Sequence, residues 1–537
     1  MSRVPDPISA GLASGWRVHG PGLQDMPARV HCDVAIIGTG AGGGITAELL
    51  TRAGLDVVLV EEGPLRSSRD FNQRESEAYP ALYQESAARK TADKAVNILQ
   101  GRCVGGSTTV NWTSSFRTPA ATLRFWADTL GLQDLAESSM APWFEQAERR
   151  LNIEPWLTAP NENNGVLRRG ARRLGLSHGA IARNVKGCWN LGSCGLGCPT
   201  NAKQSMLLTT IPTALDAGAR MLVQLRAQAF EIAQGRIQGL TCIPVGLSGD
   251  RRAEPSTQVV AKHYVLAGGA INSPALLLRS QAPDPHAHLG RRTFLHPVVL
   301  SSAQFEQPIA GWDGAPQTVF SDHFLDTQPI DGAIGYKLEV PPIHPVILST
   351  TLAGFGRAQA QALSGLARIH AMLALLRDGF HPDAAGGQVR LRGDGSAELD
   401  YPLTPFVMDG ARRAFLSMAE IQFAAGARSV KPVHEMAENY TSWVAAREAI
   451  ARLPMRPLLT RVASAHVMGG CAMAVDERRG VVRPDGVHWQ IDNLSVHDGS
   501  LFPTSIGANP QLSIYALVAR LATRMAQRLG GREVSLA

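Results

Sequence analysis

Short apolar runs alternate with glycine-rich stretches near the start of the chain. Residues 30–38, VHCDVAIIG, are almost continuously apolar, which predicts a strand buried on both faces of a parallel sheet. AGGGITAELLTRAG follows with the spacing of a helix, and DVVLVEEG predicts a second buried strand. Together they predict a β–α–β unit of about thirty residues.

The later pattern is mixed. Helical spacing recurs at 120–131 and 139–151, strand-like alternation runs from 219 to 270, and SIYALVARLATRMAQRL predicts a closing helix. The first thirty residues are rich in Pro and Gly and predict an extended arm. Residues 297–460 lack a dinucleotide-fold pattern, so we expect a separate domain there.

Composition narrows the classes of function. Apolar residues make up 45% and charged residues 18% of the 537, as in globular proteins. Lys and Arg exceed Asp and Glu by 52 − 46 = 6, without a charged block, which argues against nucleic-acid binding. Because no secretory signal and no run of eighteen apolar residues occurs, we expect a cytoplasmic protein, with peripheral membrane association left open.

Gly38, Gly40 and Gly43 form G-x-G-x-x-G between the first strand and the helix. Such glycines allow a tight turn, close approach of backbone to a pyrophosphate, and close helix–strand packing. Glu61 ends the second strand, 23 residues after Gly38, where a carboxylate binds a ribose hydroxyl pair. The motif predicts dinucleotide binding but does not separate FAD from NAD.

Further motifs carry a family resemblance that covers essentially the whole chain. They are GRCVGGSTTVN at 101–111, AGGAINSPALLLRS at 267–280, AHVMGGCAM at 465–473 and DGSLFPTSIGANPQLSIYAL at 498–517. In this order they resemble the glucose–methanol–choline (GMC) oxidoreductases, with details similar to long-chain alcohol oxidases and related bacterial alcohol dehydrogenases.

The resemblance implies an α/β fold of two parts. A Rossmann-type FAD-binding domain with a parallel sheet would span 31–296, after an arm at 1–30. A substrate domain on a mostly antiparallel sheet with helices would span 297–460, and 461–537 would return to the FAD domain with the catalytic residues.

The resemblance also implies which residues bind FAD. Members with a covalent flavin carry a histidine just before the motif's Asn, and here that position is Val110, so we expect non-covalent FAD. Gly105, Gly106 and Ser107 would let backbone lie against the flavin ring. The other residues implied at the cofactor are Gly101, Arg102, Asn111, Asp498, Gly499, Pro510 and Gln511.

His466 and Asn509 are the implied catalytic pair. His466 matches the family's H-x-x-G-T-x-x-M-G, with departures at Gly470 and Ala474. A neutral imidazole, whose pKa lies near ambient pH, is suited to remove the hydroxyl proton as hydride leaves for the flavin. Asn509 would orient the substrate oxygen, and it is also placed to cap the closing helix.

Cys188, Cys194 and Cys198, three of the seven cysteines, have C-x5-C-x3-C-P spacing. Thiolates this close can ligate an iron–sulfur cluster, and a [3Fe-4S] cluster would suit three ligands. Reduced structural thiols are the alternative. Zinc lacks an evident fourth ligand.

Leu366, Ile369, Leu373 and Leu376 fall on one face if LARIHAMLALLRDGF is helical. Such a stripe is compatible with core packing, with an apolar cap over a lipophilic alcohol, and with a membrane-facing patch. His296, which precedes Pro297, resembles a structural motif of the family and receives no chemical role here.

The resemblance therefore implies FAD-dependent oxidation of an alcohol CH–OH group, on an apolar alcohol. One alternative is a polyol or sugar dehydrogenase that passes electrons through a cluster to a partner. Another is a non-oxidative or photochemical flavoenzyme on the same fold. Oxygen, a quinone and a protein all stay open as electron acceptor.

Overall fold

A computed structural model describes residues 4–352, 355–530 and 532–536. The helices of this part are α1 Pro7–Ala13, α2 Ala41–Arg52, α3 Glu75–Leu82, α4 Ser107–Val110, α5 Ala120–Arg124, α6 Glu137–Arg150, α7 Glu162–Arg173, α8 Thr210–Asp216, α9 Gly269–Arg279, α10 Pro345–Thr351, α11 Arg357–Ser364, α12 Pro405–Ala424, α13 Trp443–Arg452 and α14 Gln511–Gly530.

The strands are β1 Arg17–His19, β2 Arg29–Ile37, β3 Val57–Glu61, β4 Val96–Ile98, β5 Ser114–Ser115, β6 Ile153–Pro155, β7 Gly179–Ala180, β8 Ala182–Asn184, β9 Arg220–Val223, β10 Leu225–Ala233, β11 Arg236–Pro244, β12 Thr257–Leu266, β13 Arg291–Phe294, β14 Val298–Gln304, β15 Val319–Ser321, β16 Tyr336–Glu339, β17 Ile369–Leu376, β18 Gly387–Leu391, β19 Ala397–Asp400, β20 Ser429–Pro432, β21 Val462–Ser464, β22 Met468–Gly469 and β23 Leu494–Val496.

The first large sheet contains the predicted β–α–β unit. Its order is β1-β9-β3-β2-β12-β11-β10, with β23 beside β12, and its central pairs are parallel. The inner residues of β2 are fully buried; α2 packs against β2 and β3, and α14 packs against α2. The carboxyl ends of β2, β3 and β12 therefore meet at one edge, where ligands bind in open α/β sheets.

The second large sheet is mostly antiparallel, as predicted for the substrate domain. Its order is β4-β21-β14-β17-β16-β15-β7, with β20 on β14. It recruits β4, β7 and β21 from outside 297–460, and α12 packs on one face. Smaller sheets have the orders β19-β18-β13-β22 and β5-β8-β6. The domain bounds given above stay a prediction.

The helix predicted from the stripe at 366–376 is wrong. Ile369–Leu376 is strand β17, and Leu366 lies in a short 3-10 turn before it. All eight residues of β17 are buried: Met372 and Ala374 face the core under α12, while Leu373 and Leu375 face a cavity. Because both faces are covered, the strand has no polar alternation, and a run that is apolar except for His370 also matches the spacing of a helical stripe.

The N-terminal arm is not simply extended. The side chain of Asp6 accepts hydrogen bonds from the N–H groups of Ile8 and Ser9 and so begins α1. Strand β1 then pairs in parallel with β9 at the edge of the first sheet. Residues 1–3 lie outside the described part. No helix in the described ranges is long and apolar enough to cross a membrane.

Candidate active site

A cavity of about 790 Å³ opens at the carboxyl ends of β2, β3 and β12 and reaches the second large sheet. It brings together nearly all of the residues predicted to act at the cofactor or in catalysis. Those in its wall are Gly38, Gly40, Glu61, Gly101, Arg102, Gly106, Ser107, Asn111, His466, Asp498, Gly499, Asn509, Pro510 and Gln511. Gly43 and Gly105 lie behind the wall.

The dinucleotide end requires glycine for two reasons. Gly38 has φ +103°, and a Cβ there would lie 2.3 Å from the carbonyl oxygen of Ala267. A Cβ on Gly43 would lie 2.0 Å from the carbonyl oxygen of Gly38. Side chains at these positions would prevent the tight turn and the close approach of α2 to β2. The predicted tight glycine turn between β2 and α2 is therefore present.

Glu61 is held rigidly at the end of β3. Its Oε2 accepts from the N–H (3.0 Å) and hydroxyl (2.5 Å) of Thr39, and its Oε1 accepts from the N–H of Gly63 (2.8 Å). Burial raises the pKa of Glu61, and these hydrogen bonds offset part of the shift. A carboxylate oxygen has lone pairs left over, so Glu61 can also accept from ribose hydroxyls.

The flavin motif at 101–111 is tied to the start of α14. Asn111 Nδ2 donates to Gln511 Oε1 at 2.7 Å, and Gln511 Nε2 donates to the carbonyl oxygen of Ser114 at 2.8 Å. These hydrogen bonds join the motif at 101–111 to the motif at 498–517, which lies far from it in sequence. This joint fixes the wall beside Asn509 and Pro510.

Asp498 and Arg102 mainly support other segments. Asp498 Oδ2 accepts from the N–H of Gly269 (2.8 Å) and the hydroxyl of Ser273 (2.6 Å), which fixes the start of α9. Arg102 is buried, and its guanidinium donates to the carbonyl oxygen of Leu247. Both residues nevertheless line the cavity, so they hold its shape.

His466 faces the cavity as a neutral ring. Its side chain is partly open to the cavity, but the site lies deep in the protein, and this burial lowers the pKa of His466 to about 4. The neutral imidazole is therefore the resting form at neutral pH. The pKa of His466 therefore lies below the near-ambient value expected from the sequence.

His296 lies between His466 and the segment that carries Asn509. It is fully buried, its Nδ1 lies 3.4 Å from Nδ1 of His466, and its Nε2 accepts from the N–H of Gly507 at 2.8 Å, two residues before Asn509. A neutral ring carries one proton, so this network assigns the His296 proton to Nδ1, facing His466. It favours the His466 tautomer with the proton on Nε2. At 3.4 Å the contact is longer than an ordinary hydrogen bond, so the other tautomer remains accessible.

Asn509 has a partner that sequence reasoning missed. Its Nδ2 donates to Glu339 Oε2 at 3.1 Å, while Asn509 Oδ1 and Glu339 Oε1 have no hydrogen-bond partner in the described residues. Asn509 therefore does not cap α14, contrary to that expectation. Glu339 is fully buried, and burial raises its pKa to about 7. The one available signal was the Lys337–Glu339 pair in an otherwise apolar strand.

The end of the cavity under the second sheet is apolar. Val298 and Leu300 of β14 lie opposite Leu375 and Leu373 of β17, and Trp112 packs against this group. All five line the cavity, and α10 closes it with Ile347 and Leu348. This wall can cover an apolar ligand, which is one of the three roles left open for the stripe at 366–376.

The cysteine loop shows no metal-binding arrangement in the described residues. In the described ranges no three His, Cys, Asp or Glu side chains converge on a point that could hold a metal ion. Cys188, Cys194 and Cys198 are free thiols outside the cavity wall, and Cys194 Sγ lies 3.7 Å from Arg183 Nη2. Cys198 Sγ lies 3.5 Å from the hydroxyl oxygen of Thr200, and the [3Fe-4S] cluster is not supported.

The chain is similar in sequence to one family of known proteins. The two models of the GMC oxidoreductase family match residues 79–298 and 382–518. An uncharacterized GMC-type oxidoreductase of Mycobacterium tuberculosis is 30% identical over 512 residues, covering 94% of this chain and 78% of that protein. A long-chain-alcohol oxidase of Arabidopsis thaliana is 26% identical over 518 residues, covering 93% and 69%.

Solved structures agree in fold. Pyridoxine 4-oxidase from Mesorbium loti superposes with a TM-score of 0.68 at 18% identity, covering 92% of this chain and 99% of that one. Formate oxidase of Aspergillus oryzae RIB40 gives 0.67 at 14%, covering 94% and 99%. The family models cover more than half of the chain, and the glycine turn, Glu61 and the continuous cavity fit FAD. The chain belongs to the GMC oxidoreductases, FAD-dependent enzymes that act on alcohols and related donors.

Proposed function

We propose that this enzyme oxidises the CH–OH group of an apolar alcohol to an aldehyde or ketone. The supporting observation is one cavity that joins the dinucleotide turn, the His466–Asn509 pair and an apolar wall from β14 and β17. The similarity to a long-chain-alcohol oxidase points to the same substrate class.

Bound, non-covalent FAD supplies the hydride acceptor at N5. His466 serves as the general base. In the tautomer with the proton on Nε2, this N–H donates a hydrogen bond to the alcohol oxygen. In the tautomer with the proton on Nδ1, the unprotonated Nε2 accepts the hydroxyl proton while the C–H bond breaks. Asn509 orients the alcohol with the second N–H of its amide, because the first is held by Glu339.

Anaerobic reduction by an alcohol panel tests this function. The flavin absorbance should bleach with long-chain primary or apolar secondary alcohols and not with polyols or sugars of equal concentration. Dithionite serves as the control that every sample contains reducible flavin. Bleaching by polyols alone, or by no alcohol although dithionite reduces the flavin, would contradict the proposal.

The FAD should be dissociable. Val110 occupies the position of the attachment histidine and offers no nucleophile, so acid or heat should release all the flavin into the supernatant. The absorbance of supernatant and resolubilised pellet measures the partition. Flavin that stays with the chain after washing in denaturant would show a covalent bond.

A further inference from the structure

Lys203 is a buried cation behind the flavin motif. It is 2% exposed, and its Nζ donates to the carbonyl oxygens of Thr109 (2.8 Å), Asn111 (2.7 Å) and Cys194 (2.7 Å). Thr109 and Asn111 flank Val110, which lines the cavity. The ammonium group therefore lies one hydrogen bond behind the backbone of the wall.

Arg183 is a second buried cation against the same segment. It is 1% exposed; its Nε donates to the hydroxyl of Thr113 (2.8 Å) and its Nη2 to the carbonyl oxygen of Trp112 (3.4 Å). Its guanidinium carbon lies 4.8 Å from the ring centre of Trp156. Trp112 and Thr113 also line the cavity, so two cations support consecutive residues of one wall.

These charges lack a carboxylate partner. In the described part of the chain neither residue forms an ion pair, and the ionisable groups that act on Lys203 are Arg183 and the thiols of Cys103, Cys194 and Cys198. A buried charge is costly unless hydrogen bonds or an opposite charge compensate it, so a negative charge that arises nearby would be stabilised. Burial accordingly lowers the pKa of Lys203.

The bonds of Lys203 also orient the peptide between Asn111 and Trp112. In a trans peptide the C=O and N–H point in opposite directions, and the described chain has no cis bond. Since the carbonyl of Asn111 points to Lys203, the N–H of Trp112 points away from it. That N–H has no hydrogen-bond partner in the described residues, and Trp112 lines the cavity.

We infer that Lys203 and Arg183 stabilise the negative charge of reduced FAD and thereby raise its midpoint potential. Uptake of two electrons and one proton leaves one negative charge on the flavin ring, in a site of low dielectric where fixed cations and N–H groups act strongly. The inference rests on the proposed function only in that FAD occupies this cavity; it requires no particular alcohol.

The test measures potential and sulfite binding on holoenzyme. Sulfite adds to flavin N5 and leaves the ring anionic, so it reports the same stabilisation. Lys203→Met and Arg183→Met should each weaken sulfite binding by about tenfold and lower the midpoint potential by about 30 mV, the two-electron equivalent of tenfold. The charge-conserving Lys203→Arg and Arg183→Lys should stay within about threefold of wild type.

Three outcomes would overturn the inference. One is a Met variant that holds FAD with unchanged potential and sulfite affinity. The second is an equal shift in the charge-conserving variants, which would indicate packing. The third is a wild-type enzyme that forms no sulfite adduct. This measurement does not depend on whether any variant folds. Dithionite is the reductant throughout, so failure of alcohol oxidation leaves these readouts intact.

Cys194→Ser separates a competing explanation. If the cations served to hold a Cys194 thiolate, removal of that anion would raise the potential and tighten sulfite binding, while Lys203→Met would not lower the potential. That pair of results would overturn the inference. Wild-type values in Cys194→Ser, together with the fall in Lys203→Met, support it.

Discussion

His466→Ala should slow the reduction of FAD by the best alcohol by about 10²–10⁴-fold, the usual contribution of a positioned general base. FAD should stay bound, because His466 contacts His296 and Ser464 and is not among the residues that form the dinucleotide turn. Anaerobic stopped-flow absorbance of wild type and variant, each at saturating alcohol, measures the ratio.

Asn509→Ala is the matched control, because it removes the group that orients the alcohol and leaves the proposed base in place. It should slow reduction less, because His466 still removes the proton while the alcohol is oriented less well. The low pKa of His466, about 4, also predicts that this residue adds no inflection to the rate between pH 6 and 9. Reduction of His466→Ala within a few-fold of wild type would show that another group is the base.

The motifs were predictable because each has a local physical requirement. The turn at Gly38 needs glycine whatever the rest of the fold does, and β2 and β3 are recognisable by their continuous apolar runs. His466 and Asn509 were found through resemblance. They lie 43 positions apart in sequence, and both line the same cavity.

What could not be predicted depends on tertiary contacts. Glu339 lies in no motif, and the pairing of β16 with β15 and β17 brings it beside Asn509. Strand β17 looked helical because burial on both faces removes the alternation that identifies a strand. The cysteine spacing fitted a cluster, yet spacing does not fix where sulfurs point.

Glu339→Gln should stabilise the enzyme above neutral pH. Burial raises the pKa of Glu339 from 4.5 to about 7, so between these values the folded protein keeps a proton that the unfolded chain has lost. The contribution of this carboxyl group to the unfolding free energy is fully present below pH 4.5 and is lost as the pH rises through 7. The loss is about 3 kcal/mol at 1.36 kcal/mol per pKa unit. Glutamine carries no charge and still accepts from Asn509 Nδ2, so it avoids this loss.

Denaturant unfolding of holoenzyme at pH 5, 6, 7 and 8, followed by flavin fluorescence, measures the effect. The difference in unfolding free energy between Glu339→Gln and wild type should be small at pH 5 and approach about 3 kcal/mol at pH 8. Lys337 provides the control, because its charge lowers the pKa of Glu339. In Lys337→Met this pKa should rise, so the loss of unfolding free energy should continue to higher pH than in wild type. An inflection of the reduction rate near pH 7 should likewise disappear in Glu339→Gln, since Asn509 then keeps an uncharged partner. Parallel stability curves for wild type and Glu339→Gln from pH 5 to 8 would show that Glu339 does not titrate in this range.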